Sequence, residues 1–80
     1  MKKDIIKIKD DYINLNSLLK LAGITDTGGQ AKILIKDEKV KVNGEICTEI
    51  RKKIRPNDII EYNGRSIRCE KFEYSQLESK

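Results

Sequence analysis

A glycine-rich segment that opens a basic helix is the part of this sequence whose residue types and spacing are best suited to chemistry. Residues 27–32 read Thr-Gly-Gly-Gln-Ala-Lys, and Thr27 and Gln30 have the Thr-x-x-Gln spacing of a capping box. A helix that begins at Thr27 presents unpaired backbone N–H groups and the positive end of its dipole, and both attract an anion. Lys32 and Lys36 are one turn apart on the same face of that helix. The segment therefore predicts a surface that binds phosphate.

Positive charge is densest in a second segment, residues 51–55, which read Arg-Lys-Lys-Ile-Arg and are called the basic run below. If the basic run is a strand, alternation places Arg51, Lys53 and Arg55 on one face as a basic stripe. A further pair of lysines flanks a valine between the two segments. The candidate binding residues are Thr27, Gly28, Gly29, Gln30, Lys32, Lys36, Lys39, Lys41, Arg51, Lys52, Lys53 and Arg55.

Each of these features also has an interpretation without a ligand. Gly28 and Gly29 can be turn glycines that only set the angle at which the chain enters the helix. Lys32 and Lys36 can form a solvated helix face, which is the usual environment of lysine pairs. The basic run can be a charged edge strand that resists aggregation. The sequence pattern alone leaves these interpretations open.

Two short helices are expected to position the phosphate-binding segment. Apolar residues at helical spacing predict the first helix between an N-cap at Asn14 and a terminating Gly23. The second helix has an apolar stripe of Ala31, Leu34 and Ile35, with its lysines roughly on the far side. Because the connector between the helices is short, they are expected to pack as a helical hairpin.

The rest of the chain has the period of two that is typical of strands. Asn-Gly pairs at residues 43–44 and 63–64 predict tight hairpin turns, because both central positions of such a turn need a positive φ. The predicted strands are residues 4–8, 39–42, 45–48, 58–62 and 65–70, while the basic run is a strand or a loop that ends in a Pro-Asn-Asp turn at residues 56–58.

These elements predict an α+β fold in which a helical hairpin packs on a small, mostly antiparallel β-sheet. The 80 residues leave room for one thin core, so we expect a single domain over residues 1–80. Residues 71–80 carry little apolar pattern and are expected to form a flexible tail.

The composition favours a binding protein over an enzyme. The chain has 17 basic and 13 acidic residues, a net charge of +4 and a pI near 9.1, which favours nucleic acid or another polyanion as its partner. It has no histidine, the commonest general base, and no P-loop or dinucleotide-binding motif. We therefore expect no enzymatic activity, no small-molecule substrate and no cofactor.

The cysteines and the apolar pattern bear on metal binding and on location. Cys47 and Cys69 alone cannot complete a four-ligand zinc site, so no metal site is expected. Two isolated thiols are typical of a reducing cytoplasm. No apolar run approaches the roughly 20 residues needed to cross a bilayer, and the basic N-terminus lacks an apolar signal core. These features predict a cytoplasmic protein with no membrane partner.

Four segments occur in a recognisable order, namely Leu18 to Leu21, Thr27 to Lys32, Val40 to Gly44, and Lys53 to Asp58. This order resembles the S-four RNA-binding domain, which is named after ribosomal small-subunit protein four. The resemblance covers about residues 12–70. It is strongest with the stand-alone bacterial versions of the domain, the small YaaA-like and YbcJ-like proteins.

The resemblance implies an alpha-L RNA-binding motif, in which RNA contacts the second helix, the loop before it and the basic loops beside it. Many longer members have an arginine where this chain has Gly28. A glycine there lets a phosphate approach the helix N-terminus closely. The positions of this chain that match the RNA-contacting positions of the family are Thr27, Gly28, Gly29, Gln30, Lys32, Lys36 and Lys53.

The resulting prediction is a monomeric, non-enzymatic module that grips structured RNA, such as ribosomal, transfer or small RNA, with a possible ribosome or ribonucleoprotein association. The few aromatic residues favour recognition of backbone and shape over the reading of unstacked bases; they are Tyr12, Tyr62, Phe72 and Tyr74. The alternative is a protein-interaction adaptor on a ribonucleoprotein or an acidic protein. DNA binding ranks below both, because no recognition helix with base-reading residues is apparent.

Overall fold

The computed structural model describes residues 4–72, which form two helices and seven strands. The helices are α1 (Leu15–Leu21) and α2 (Gly28–Lys36). The strands are β1 (Ile5–Ile8), β2 (Ile13–Asn14), β3 (Val40–Val42), β4 (Glu45–Ile46), β5 (Lys53–Ile54), β6 (Ile59–Tyr62) and β7 (Arg65–Lys71).

The strands form two sheets. Five of them lie in the order β1-β7-β6-β3-β4, in which every pair is antiparallel except the parallel pair of β1 with β7. The other two, β2 and β5, form a small antiparallel sheet that pairs Ile13 with Ile54 and Asn14 with Lys53. The predicted α+β fold with a mostly antiparallel sheet is confirmed.

Both helices begin where the sequence predicts. Thr27 is the N-cap of α2, and its Oγ1 accepts a hydrogen bond from the Gln30 backbone N–H at 3.2 Å. The second half of the capping box differs from the usual pattern, because Gln30 Oε1 accepts from the Asp26 N–H at 2.8 Å and not from the Thr27 N–H. Asn14 is the N-cap of α1, but its side chain makes no capping hydrogen bond.

One core joins the helical hairpin to the sheets. Leu15, Leu18 and Leu19 of α1 and Ala31 and Ile35 of α2 are fully buried, and the two helices pack against each other. Burying a leucine or isoleucine side chain contributes about 1.5–3 kcal/mol, so this core holds the start of α2 rigidly. The strand residues that share the core are Ile6, Ile8, Val40, Val42, Ile54, Ile60, Ile67 and Cys69.

The predicted turns have the expected backbone geometry. Asn43 and Gly44 have φ values of 53° and 88°, and Asn63 and Gly64 have values of 51° and 81°. Asparagine and glycine tolerate this left-handed region, which explains their presence at both hairpin tips. Asn57, inside the Pro-Asn-Asp turn, has a φ of 80°.

Two predicted boundaries are corrected, and the first is the end of the strand predicted over residues 45–48, which lies at Ile46. Of the basic run, which its sequence allows to be a strand or a loop, only Lys53 and Ile54 form a strand, and Arg51 lies in a turn before it. At the other end, β7 continues to Lys71, and the Phe72 N–H donates to Ile8 O at 2.7 Å. The flexible tail predicted from residue 71 is therefore wrong for these two residues, and the prediction for residues 73–80 lies outside the described residues.

The cysteines and the helices bear on the expected absence of a metal site and of a membrane-spanning segment. Cys47 and Cys69 are both free, and burial raises the pKa of the Cys69 thiol, with smaller contributions from the charges of Asp58 and Glu70. Within residues 4–72, neither helix is long and apolar enough to cross a membrane. No group of three or more potential metal ligands occurs in the same range.

Candidate nucleic-acid interface

Gly28 and Gly29 form the first turn of α2, and the backbone there does not itself require glycine. Neither has a positive φ, unlike Gly44 and Gly64. A Cβ atom on Gly28 would lie 3.7 Å from its nearest neighbour, and one on Gly29 would lie 3.8 Å from Thr27 Oγ1, both ordinary contact distances. Within residues 4–72, the N–H groups of Gly28 and Gly29 have no acceptor. The absence of side chains leaves these two donors open to a ligand.

The two lysines of α2 are both exposed but differ in their surroundings. At a rise of about 1.5 Å per residue, Lys32 lies ~6 Å along the axis from Gly28 and Lys36 lies ~12 Å from it. Lys36 is in the last turn, where a positive charge stabilises the helix dipole, and the acidic residues Asp37 and Glu38 follow it. Lys32 is therefore the lysine more closely associated with the helix start.

The first turn of α1 joins the start of α2 to the basic run. The backbone N–H groups of Leu15 and Asn16 donate to Lys52 O at 2.9 Å and to Ile50 O at 3.2 Å, respectively. On its other side, the Asn16 side-chain Nδ2 is the nearest atom to the position that a Gly28 Cβ would occupy. The structure thus brings together two segments that are separated by more than twenty positions in the sequence.

The same hydrogen bonds explain why the basic run is not a long strand. Because the Ile50 and Lys52 carbonyl groups accept from α1, they are not available to a neighbouring strand. Arg51, Lys52 and Lys53 are all exposed, but they lie on a turn and a short strand, not on a regular stripe. The edge-strand interpretation stays open, since among the described residues β5 pairs only with β2.

The two ends of β5 are held by different contacts. Lys53 Nζ lies 5.0 Å from the centroid of the Tyr12 ring, a cation–π distance. Arg55 follows the strand, and its backbone N–H donates to Asp58 Oδ2 at 2.8 Å, while the Asp58 N–H donates back to Arg55 O at 3.0 Å. Ile54, between them, is fully buried. The Lys53 side chain and the Arg55 backbone are therefore both held in place, on either side of the buried Ile54.

Lys39 and Lys41 lie elsewhere. Lys39 follows the C-terminal end of α2, and its N–H donates to Leu34 O at 3.2 Å. Lys41 is exposed on β3, where it pairs in register with Glu61 of β6. Both lysines line a shallow cleft that also contains Glu61 and Arg65. The length of α2, about 13 Å, separates Lys39 from the helix start.

Sequence reasoning missed three residues of this region. Asn16 lies next to Gly28 and bonds Ile50, the residue before the basic run, but these contacts are non-local and no motif indicates them. Tyr12 contacts Lys53 through a strand pairing that the sequence did not predict. Asp26 is exposed and lies two residues before Gly28, where its charge opposes an incoming anion. The position of Asp26 next to the predicted N-cap was the available signal.

Comparisons with known proteins bear on the whole of this region. A family model described as the S4 domain matches residues 6–70. The YbcJ protein of Escherichia coli is 39% identical over 59 residues, which are 74% of this chain and 84% of YbcJ. A Bacillus subtilis protein named as a probable ribosome maturation protein, RlbA, is 34% identical over 59 residues, which are 74% of this chain and 83% of RlbA.

Two solved structures are similar in fold. The solution structure of YbcJ, described as revealing an alpha-L motif involved in RNA binding, has a TM-score of 0.67 and 32% identity, and covers 88% of this chain and 90% of YbcJ. The crystal structure of the 30S ribosomal protein S4e from Thermoplasma acidophilum has a TM-score of 0.58 and 30% identity. That match covers 75% of this chain and 32% of the ribosomal protein.

Proposed function

The chain belongs to the S4 domain family, and from this premise we propose that it is a non-enzymatic module that binds structured RNA. The proposed surface combines the start of α2 with the basic run. The observation that carries the proposal is the set of contacts in the first turn of α1, because Leu15 bonds Lys52 of the basic run while the Asn16 side chain lies next to Gly28. A phosphate at the start of α2 then has further phosphates of the same strand within reach of the basic run.

The first phosphate would lie at the start of α2, where the free N–H groups of Gly28 and Gly29 donate to its oxygens and the helix dipole favours its charge. Thr27 Oγ1 accepts from a backbone N–H, so the hydroxyl proton of Thr27 is available to a phosphate oxygen. Gln30 Oε1 is likewise occupied by a backbone N–H, which leaves its side-chain amide protons for the ligand. Lys32 would neutralise the same phosphate.

The neighbouring phosphates would be contacted by the exposed side chains of Arg51, Lys52, Lys53 and Arg55. The remaining candidates, Lys36, Lys39 and Lys41, lie toward or beyond the C-terminal end of α2, and we assign them weaker, longer-range contributions. Three to five phosphate contacts correspond to a slope of log affinity against log salt of roughly −3 to −4.5, if the coefficient for duplexes applies.

The names of the relatives guide the choice of RNA. RlbA is named for ribosome maturation and S4e is a ribosomal protein, so ribosomal RNA is the first partner to test and transfer RNA the second. We propose that residues 1–80 form a single RNA-binding domain, that the protein acts as a monomer in the cytoplasm, and that it needs no cofactor.

Fluorescence anisotropy over a salt series tests the proposal. A structured RNA hairpin, a DNA hairpin of the same sequence and a single strand are titrated with the protein. We expect the RNA hairpin to bind most tightly, with a slope of about −3 or steeper. Binding to none of the three at low salt would refute the proposal and favour the protein-interaction adaptor.

A charge-reversal pair identifies the surface. We expect Lys32→Glu with Lys36→Glu to weaken RNA binding by far more than it lowers the free energy of unfolding, since both side chains are exposed and only Lys36 interacts with the helix dipole. The matched control is Lys7→Glu with Lys20→Glu, which makes the same change of net charge at exposed lysines outside the proposed surface. Equal losses in the two pairs would show that total charge, and not this helix face, governs the affinity.

A further inference from the structure

Tyr12 is the exposed aromatic residue among residues 4–72, and it is not part of the RNA-binding surface proposed above. Tyr62 and Phe72 are half-buried, whereas Tyr12 is 40% exposed. Its hydroxyl makes no hydrogen bond within residues 4–72. The exposed part of the ring is accessible to another molecule.

The position of Tyr12 is fixed by the small sheet. Ile13, the next residue, pairs with Ile54 and is packed against the core. Since side chains alternate along a strand, Tyr12 and Asn14 lie on the opposite, solvent-facing side together with Lys53. The Lys53 ammonium lies over one face of this ring, 5.0 Å from its centroid, so a stacked base would use the opposite face.

We propose that Tyr12 is a stacking platform for one unpaired nucleobase and that Lys53 neutralises the phosphate of the same nucleotide. Every base has a π-face, so such a platform recognises an unstacked base without selecting its identity. The module would then prefer structured RNA that carries an extruded nucleotide to an uninterrupted duplex. This inference rests on the proposed RNA binding, and it adds a class of RNA feature to it.

The competing interpretation is that Tyr12 only holds the Lys53 side chain in place. In that case the ring would help the binding of any RNA through the lysine charge. Stacking, in contrast, would help only an RNA that offers an unpaired base. The two interpretations therefore predict different effects of an unpaired base in the RNA on the affinity that Tyr12 contributes.

The test uses two kinds of RNA hairpin with the same stem, one uninterrupted and the others with a single unpaired adenosine at successive positions. We expect the wild-type protein to bind its preferred bulged hairpin about fivefold more tightly or better, in line with the contribution of a stacked base. Tyr12→Phe should keep this preference and Tyr12→Leu should abolish it, with affinity for the uninterrupted hairpin unchanged. Tyr12→Trp should strengthen it, and because the chain has no tryptophan, indole quenching by the bulged hairpin reports stacking directly.

Two outcomes would overturn the proposal. One is a wild-type protein that does not distinguish bulged from uninterrupted hairpins. The other is a Tyr12→Leu variant that loses affinity for both hairpins equally, which would make Tyr12 a positioning residue for Lys53. Failure of the wild-type protein to bind either hairpin at low salt is a different result, because it refutes RNA binding itself.

Discussion

Replacing Gly29 with alanine is expected to stabilise the protein and at the same time weaken its binding to RNA. Gly29 has ordinary helical backbone geometry, and its added methyl group would meet only Thr27 Oγ1, at 3.8 Å. Alanine is favoured over glycine in helices by up to about 1 kcal/mol. At this position in the first turn we expect a gain of roughly 0.5 kcal/mol in the free energy of unfolding.

The loss of binding follows from the direction of the new methyl group. The Cα–Cβ bonds of a helix tilt toward its N-terminus, so the methyl group lies where the phosphate is proposed to approach. It also lies beside the Thr27 hydroxyl, which is proposed to donate to the same phosphate. Hydrogen bonds to a charged group contribute about 1.5–3 kcal/mol, so losing one corresponds to a roughly 10-fold to 100-fold weaker affinity.

Urea denaturation and anisotropy titration with the RNA hairpin measure the two effects on the same protein. The control is Gly64→Ala, at a turn position with a φ of 81° and no atom within 4 Å of the added Cβ. This variant should lose about 1 kcal/mol of stability through backbone strain and keep its RNA affinity. If Gly29→Ala binds RNA as tightly as the wild type, no phosphate contacts the start of α2. If it is less stable than the wild type, the contacts described around Gly29 are incorrect.

Three further predictions concern neighbouring groups. Asp26→Asn removes an exposed negative charge near the start of α2. RNA affinity in the anisotropy titration should therefore rise about twofold to fivefold at low salt and less at high salt. An unchanged affinity would mean that the phosphate binds elsewhere. Asp58→Ala removes the acceptor for the Arg55 N–H, at 2.8 Å, and for Asn43 Nδ2, at 3.1 Å. It should lower the free energy of unfolding, measured by urea denaturation, by about 1–3 kcal/mol. An unchanged free energy of unfolding would contradict this hydrogen-bond network. Cys69 is fully buried and its pKa is raised by burial, which disfavours the reactive thiolate. Alkylation at pH 8, followed by mass spectrometry, should therefore modify the half-buried Cys47 first. Equal alkylation rates at the two cysteines would show that the core opens readily.

The local elements of this fold were readable from the sequence because their signals are local. Thr27 and Gln30 are three residues apart and contact each other, so the capping spacing identifies the start of α2 directly. The Asn-Gly pairs identify both hairpin tips, since few other residues adopt the positive φ values found there. The apolar residues at helical spacing, such as Leu15 and Leu18, are fully buried as their pattern predicts.

The contacts that assemble the candidate site could not be read in the same way, because they join distant parts of the chain. The β1–β7 and β2–β5 pairings join strands that are far apart in the sequence and are not linked by a single hairpin turn. No short motif therefore indicates either pairing. The sequence also left open whether the basic run is a strand or a loop, because the hydrogen bonds from α1 to the Lys52 carbonyl group and to the preceding Ile50 carbonyl group are non-local. Of the predicted site residues, Lys39 and Lys41 were grouped with the others by charge alone, and the structure places them on a different surface.

The contact between Asn43 and Asp58 joins two separate sequence motifs in the folded chain, namely the Asn-Gly hairpin turn and the Pro-Asn-Asp turn. Asn43 Oδ1 accepts from the Ile59 N–H at 2.9 Å, and Asn43 Nδ2 donates to Asp58 Oδ1 at 3.1 Å. The other carboxylate oxygen of Asp58 holds the Arg55 N–H, so the tip of the first hairpin fixes the end of the basic run. A change at Asn43 should therefore alter RNA binding through the position of Arg55, although Asn43 itself is not among the proposed contacts. The hairpin tip and the Pro-Asn-Asp turn are thus joined by hydrogen bonds, and together they fix the backbone at the C-terminal end of the basic run.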